Sequence, residues 1–219
     1  MRMLDMGIEA LIRANTKIVT PGAIPEINLR LVTFDLPWWH SDPKDLENQG
    51  IVDPYWAFCW PGGTALARYL LDRPDLVHDQ TVIDFGAGCG VVGVAAALVG
   101  AARTVACDID PLALWACREN AALNGIELGL DPHDIIGAKL PGVDWLLVGD
   151  VTYGHDMVQR VLPWFEALAA SGTKVLMADP GRGYLPKNLQ AEAVVKLPPD
   201  LGDVPVAPSL DVPIYLFSP

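Results

Sequence analysis

Val82-Ile83-Asp84-Phe85-Gly86-Ala87-Gly88-Cys89-Gly90 sets three alternating glycines between one apolar run and the next, which continues to Ala102. Residues 81–85 read as a strand and 90–99 as a helix, so the glycines form a strand-to-helix turn where the backbone can come close to a ligand. Two ligand classes fit the spacing. Gly88, Gly90 and Gly93 satisfy the G-x-G-x-x-G of dinucleotide turns. Asp84 decides between them. A dinucleotide turn hands its pyrophosphate to the helix N-terminus, and a carboxylate ending the same strand repels that group. S-adenosylmethionine has no phosphate and carries an ammonium, a carboxylate and a sulfonium, so an acid beside the glycines suits it.

Outward from this turn the chain alternates. Strands are expected at 104–108, somewhere within 126–136, at 143–148 and at 174–178, with helices at 64–71, 111–124 and 157–170. Pro111 sits at the first turn of its helix. Alternation of this kind predicts an α/β fold with a mostly parallel sheet and helices on both faces. Residues 191–197 and 212–217 are again strand-like. The link between them holds Pro198, Pro199, Pro205 and Pro208 and is too short for a packed crossover helix, which predicts an antiparallel strand at the C-terminal end. Upstream, Leu4, Ile8, Leu11 and Ile12 recur at helical spacing and Ile27, Leu29 and Leu31 alternate. Residues 1–50 are therefore an N-terminal extension of helix plus strand, expected to cover the substrate, within one compact domain whose catalytic part is 51–219. Pro37-Trp38-Trp39-His40 and 41–50 read as loop, with Asp42-Pro43 a turn.

Composition narrows the partners. Among 219 residues, 27 acidic and 15 basic side chains leave a net charge of −12. Without a basic run there is no positive field for phosphate, so nucleic acid is a poor partner. The longest apolar run, Gly90 to Ala102, falls short of the ~18 to 20 residues of a bilayer span, so no membrane partner is expected. Arg2 is followed by Asp5 and Glu9, unlike a signal or transit peptide, and a cytoplasmic location is expected. Cys59, Cys89, Cys107 and Cys117 form no C-x-x-C pair and read as reduced core thiols rather than a metal site.

Several residues are placed for chemistry. Asp108, 20 residues past Gly88, lies where a carboxylate accepts ribose hydroxyls. Asp134 falls in the following loop, where it can accept from an adenine amine. Asp150 and Tyr153 emerge at the carboxyl end of the strand 143–148, the edge where open α/β sheets bind ligands. There Asp150 can orient an amine, or it can merely cap the next helix. His155 follows at that helix start. Tyr55, Trp56, Phe58 and Trp60 put four rings in six residues ahead of Gly62-Gly63. Trp56 and Trp60 can wall a methyl-transfer site, excluding water and favouring a cation over a ring face, whereas Phe58 reads as core.

Together these residues resemble the electron transfer flavoprotein beta-subunit lysine methyltransferases, among the seven-strand, Rossmann-like protein lysine methyltransferases. The resemblance rests on P-Y-W-A-F-C-W-P-G-G at 54–63, A-L-A-R-Y-L-L-D-R-P at 65–74, D-F-G-A-G-C-G at 84–90, D-I-D-P at 108–111, G-D-V-T-Y at 149–153 and A-D-P-G-R at 178–182. It implies that Asp84, Gly86, Gly88 and Gly90 hold the methionine end of S-adenosylmethionine, Asp108 its ribose and Trp60 its adenine side. It implies that Asp150 and Tyr153 face the target lysine, and that Arg182 shapes the acceptor pocket or holds the protein substrate, as Trp56 would. Gly154 departs from the acidic residue expected in relatives. The implied partner is the flavoprotein's beta subunit and the implied setting a bacterial cytoplasm. Alternatives are a methyltransferase acting on another protein, such as a ribosomal protein, or on a small-molecule amine, then an NAD-dependent dehydrogenase, and a non-catalytic binding module.

Overall fold

A computed structural model describes residues 6–198 and 209–219. Leu4 and most of the proline-rich link lie outside these residues. The N-terminal part comprises α1 (Met6–Ala14), β1 (Lys17–Val19), β2 (Leu29–Leu31), α2 (Pro37–His40), α3 (Pro43–Asn48) and α4 (Pro61–Leu71). Then come β3 (Thr81–Phe85), α5 (Val91–Leu98), β4 (Arg103–Cys107), α6 (Pro111–Leu123), β5 (Gly129–Asp131), β6 (Trp145–Gly149), α7 (His155–Ala170), β7 (Lys174–Ala178), β8 (Ala193–Leu197) and β9 (Leu210–Phe217).

Seven strands form one sheet in the order β5-β4-β3-β6-β7-β9-β8. The strands β3 to β7 are parallel, and β9 runs antiparallel between β7 and β8. The expected architecture is present, including the C-terminal antiparallel pair. Strand β6 shows why its run is continuously apolar. Trp145 and Leu147 pack with Leu66 of α4 and Val92 of α5, while Leu146 and Val148 pack with Phe165 and Leu168 of α7. Both faces are covered, so neither can be polar. The strand order reverses between β3 and β6, and their carboxyl ends open onto the crevice where such sheets hold ligands.

The N-terminal part differs from expectation in two respects. Residues 37–40 and 43–48 are short helices, not loop. Asp42 accepts from the Asp45 N–H at 3.0 Å with Pro43 in the first turn. An acid followed by proline starts a helix as readily as it makes a turn. The segment is also an integral part of the core, where only a covering extension was expected. Leu29 and Leu31 join the main cluster, Ile12 and Trp38 pack with Trp56 and Trp115, and Trp39 sets its edge against Phe58. Asn120 of α6 and Asn124 at its C-cap fix its backbone by accepting from the Arg30 N–H at 2.7 Å and the Asn28 N–H at 2.9 Å.

Candidate active site

The glycine turn works by packing as much as by exposure. Gly86, Gly88 and Gly90 all have positive φ (64°, 53° and 77°), backbone that disfavours side chains. A Cβ on Gly90 would stand 2.9 Å from the Cα of Cys117, so this glycine lets α6 approach and stays outside the crevice. Gly86 and Gly88 line it. Asp84 is 1% exposed and does not reach the crevice. Its Oδ2 accepts from the Gly93 N–H at 2.8 Å in the first turn of α5, and burial pushes its carboxyl up to about 8. The resemblance-derived role of Asp84 and Gly90 at the methionine end is thus corrected to holding the turn. Asp84 takes up the Gly93 N–H, one of the donors at the helix N-terminus that a pyrophosphate would draw on.

On the β4 side, Asp108 accepts from the Gly88 N–H at 2.9 Å through Oδ2 and from the Asp110 N–H at 3.0 Å through Oδ1. Burial raises its carboxyl above the ordinary range, against these bonds. Each oxygen retains a lone pair for a hydroxyl. Asp134 stands at the exposed rim, where Oδ1 accepts from the Ile136 N–H and Oδ2 from Arg160 Nη2 at 2.8 Å. Those two bonds, the backbone one first, hold its carboxyl below the usual value.

The β6 side is built around Asp150. This residue has φ +58°, unusual for a side-chain-bearing residue, and is anchored from two directions. Its Oδ2 accepts from the Gly63 N–H at 2.9 Å and its Oδ1 from Arg182 Nη2 at 2.6 Å. Burial raises its carboxyl, and Arg182 pulls it part of the way back. The helix that Asp150 caps is therefore α4, 87 residues upstream, and not the following α7, whose N-cap is Gly154 with no side-chain bond. The W-P-G-G segment exists for this approach. A Cβ on Gly62 would lie 2.6 Å from Asp150 Oδ2, and one on Gly149 would lie 2.8 Å from the Gly63 Cα.

A second carboxylate, to which the sequence reading gave no role, stabilises the other wall. Asp179 is buried, takes the Thr152 hydroxyl on Oδ2, and accepts from the Gly181 and Arg182 N–H groups on Oδ1. The Asp-Pro-Gly sequence was the available signal for such a turn. Arg182 is thereby aimed at Asp150, with its guanidinium 5.7 Å from the Trp60 ring centre. Trp60, expected beside adenine, stands with Arg182 across β3 from Asp108, and its Nε1 donates to the Tyr55 carbonyl at 2.8 Å. Trp56 touches the crevice but is 1% exposed, its ring set edge-on between Trp38 and Trp115, so its ring belongs to the core and not to the acceptor wall. Tyr153 is 59% exposed at the mouth. His155 stacks edge-on with Tyr184, 5.0 Å away, along a shallower groove that Tyr153 also lines.

The crevice has a volume of about 560 Å³ and runs from Asp108 and Asp134 past Gly86 and Gly88 to Asp150, Tyr153 and Arg182. None of the described residues before Val52 lines it. Among the described residues no acidic, His or Cys cluster could hold a metal ion, and the four cysteines are free thiols.

The chain is 39% identical over 182 residues to the electron transfer flavoprotein beta subunit lysine methyltransferase of Rattus norvegicus, an alignment spanning 82% of this chain and 70% of the relative. The chain belongs to the electron transfer flavoprotein beta subunit lysine methyltransferase family. The family's Danio rerio member is 41% identical over 178 residues, 80% of this chain and 68% of its own. Residues 30–140 also match the model of the ribosomal protein L11 methyltransferase (PrmA) family. An RNA methyltransferase from Salinibacter ruber, solved with S-adenosyl-L-homocysteine, superposes with a TM-score of 0.50 at 20% identity over 70% of this chain and 90% of its own. That likeness establishes the fold, shared by methyltransferases of different substrates.

Proposed function

We propose that the protein transfers methyl groups from S-adenosylmethionine to lysine side chains of the electron transfer flavoprotein beta subunit. One observation carries this reading: a single crevice places a nucleoside-type end, Asp108 with the bare backbone of Gly86 and Gly88, in line with a cation-type end, Asp150 with Tyr153. The names of the relatives support the acceptor.

The residues fit S-adenosylmethionine. Asp108 keeps lone pairs for the ribose hydroxyls, Ile109 and Phe85 offer apolar surface, and the crevice arginines, Arg160 and Arg182, are already paired with Asp134 and Asp150 rather than poised for phosphate. When bound it supplies a methyl group on a sulfonium, so that an N–C bond forms as the C–S bond breaks and the electron pair stays on sulfur. Asp150 and Tyr153 orient the lysine, the crevice walls limit water, and positioning accounts for most of the acceleration. The lysine must first shed a proton, because an ammonium with its pKa near ~10.4 has no lone pair. Among the described residues no helix is long and apolar enough to cross a membrane.

The direct test incubates the protein with isotope-labelled S-adenosylmethionine and either purified electron transfer flavoprotein or ribosomal protein L11, and locates label by mass spectrometry. Label on beta-subunit lysines is expected. Label on the ribosomal protein alone would keep the chemistry and move the acceptor, the second reading that the match over residues 30–140 favours. No label on either, with no binding of S-adenosylhomocysteine, overturns the proposal.

A further inference from the structure

Asp150 meets the acceptor site with its charge already matched. Arg182 Nη2 holds Oδ1 at 2.6 Å and the Gly63 N–H holds Oδ2 at 2.9 Å, on a side chain only 9% exposed. Among the described residues no other cation pairs with Asp150. Other titratable groups toward this end of the crevice are the Cys59 thiol ahead of α4, whose ionisation the Asp150 charge opposes, Asp53 and Tyr55 ahead of Trp60, Tyr153 and His155 on its own segment, Arg160 of α7, already paired with Asp134, and Asp179 on the loop after β7. Asp179 is turned away, bonded to Thr152 and to the backbone of its own turn.

This pairing is costly to build. It takes a buried turn at Asp179 to aim Arg182 and two side-chain-free positions, Gly62 and Gly149, to admit Asp150. An unpaired carboxylate would bind an incoming lysine more strongly, but it would bind the ammonium form, which cannot attack a methyl group. Beside a compensated carboxylate the ammonium gains little, while burial and the guanidinium both favour loss of its proton to solvent. The second oxygen lone pairs remain available to accept a hydrogen bond from a neutral amine.

We propose that Arg182 is a positioning residue for methyl transfer: it fixes Asp150 and cancels its charge, so that the acceptor lysine settles in the crevice as the free amine. The proposal rests on the methyltransferase reading above and names how that same site selects the protonation state of its substrate.

The test is the pH dependence of kcat and kcat/KM on purified electron transfer flavoprotein for the wild type, Arg182→Gln and Arg182→Lys, from about pH 6.5 to about pH 10, a range reaching the lysine pKa. Melting temperature and S-adenosylhomocysteine binding report folding. Removing the unit charge that pairs with Asp150 is expected to cost Arg182→Gln roughly 10- to 100-fold in kcat near neutral pH. The deficit should shrink as the pH rises, and Arg182→Lys should recover most of the rate. If Arg182→Gln is unstable, Asp150→Asn combined with Arg182→Gln serves instead: its absolute rate falls because the orienting carboxylate is gone, but with no anion left to compensate, the pH dependence of that rate should return toward that of the wild type. A deficit of equal size at every pH, or faster transfer at neutral pH because a blocking arginine has gone, would overturn the role. Absence of transfer by the wild type at any pH would instead sink the methyltransferase reading itself.

Discussion

Gly62→Ala adds one methyl group at the most crowded point of the site. Its Cβ would stand 2.6 Å from Asp150 Oδ2 and 2.8 Å from the Ala178 carbonyl oxygen, where ordinary contact begins at 3.4 Å. The carboxylate, α4 or the end of β7 must therefore yield by roughly 0.6 to 0.8 Å. Overpacking of this kind costs about 1 to 3 kcal/mol, and loss of the charge-assisted bond from the Gly63 N–H costs a further amount of about 1.5 kcal/mol or more. The better helix propensity of alanine offsets up to about 1 kcal/mol. A net loss near 2 kcal/mol corresponds to about 4 to 8 °C in melting temperature for a chain of this size. Because misplacement of a positioning group by about 1 Å can cost 100-fold, kcat/KM should fall by about that factor while S-adenosylhomocysteine affinity, set on the β4 side, changes far less. The assay is a thermal melt, calorimetry with S-adenosylhomocysteine and initial rates, with Gly22→Ala as the control, since nothing lies within 4 Å of a Cβ there. A Gly62→Ala protein that melts and turns over like the wild type would refute the claim that α4 and Asp150 define the acceptor end.

Gly154→Asp should stabilise the protein by about 0.5 kcal/mol, since α7 starts without a side-chain cap and the position has extended backbone; a urea midpoint measures it. Asp84, held up to about 8 by burial, binds a proton in the folded state that it releases when unfolded above about pH 4, so its contribution makes stability fall as pH rises between those values. Asp84→Asn should flatten that part of the stability-versus-pH curve, measured by denaturant titrations at several pH values. Asp108→Ala should weaken S-adenosylhomocysteine binding at least tenfold, in calorimetry, as about 1.5 to 3 kcal/mol per charged hydrogen bond is lost. Trp56→Phe should lower stability by about 1 to 2 kcal/mol through the core it fills, with the acceptor KM unchanged, in paired melts and rate measurements.

The sheet was readable from the sequence because its central parallel strands, β3, β4, β6 and β7, are largely covered on both faces and so read as mostly apolar blocks between punctuating glycines and prolines, whereas β5, three partly exposed residues at the edge, could be placed only within 126–136. Asp108 and Asp150 were readable for a related reason: each follows an apolar strand, and the carboxyl edge of such a sheet is where polar groups serve ligands. What stayed hidden depends on contacts distant in sequence. That Asp150 would cap α4 has no local signature, because its partner lies 87 residues away. Gly90 looked like a ligand glycine, yet its requirement comes from Cys117 on α6. Trp56 and Trp60 look alike in sequence, and only the arrival of Trp38 and Trp115 around one, and of Arg182 beside the other, separates them. The short helix at 43–48 was missed because proline after a polar residue signals both a turn and a helix start, and the one at 37–40 because four residues are too few to show a helical period.

Helix α6 behaves as a lever between two places that share no direct contact. At its N-cap the Asp110 N–H donates to Asp108, and toward its far end Asn120 and the C-cap Asn124 clasp the backbone at Arg30 and Asn28. Loosening the amino-terminal strap, by a trimmed expression boundary or a fused tag that pulls on it, is expected to reach Asp108, the carboxylate proposed to meet the nucleoside, through α6. The strap is therefore not portable. Chimeras that exchange it between family members should carry α6 along with it, or lose donor affinity without any change inside the crevice.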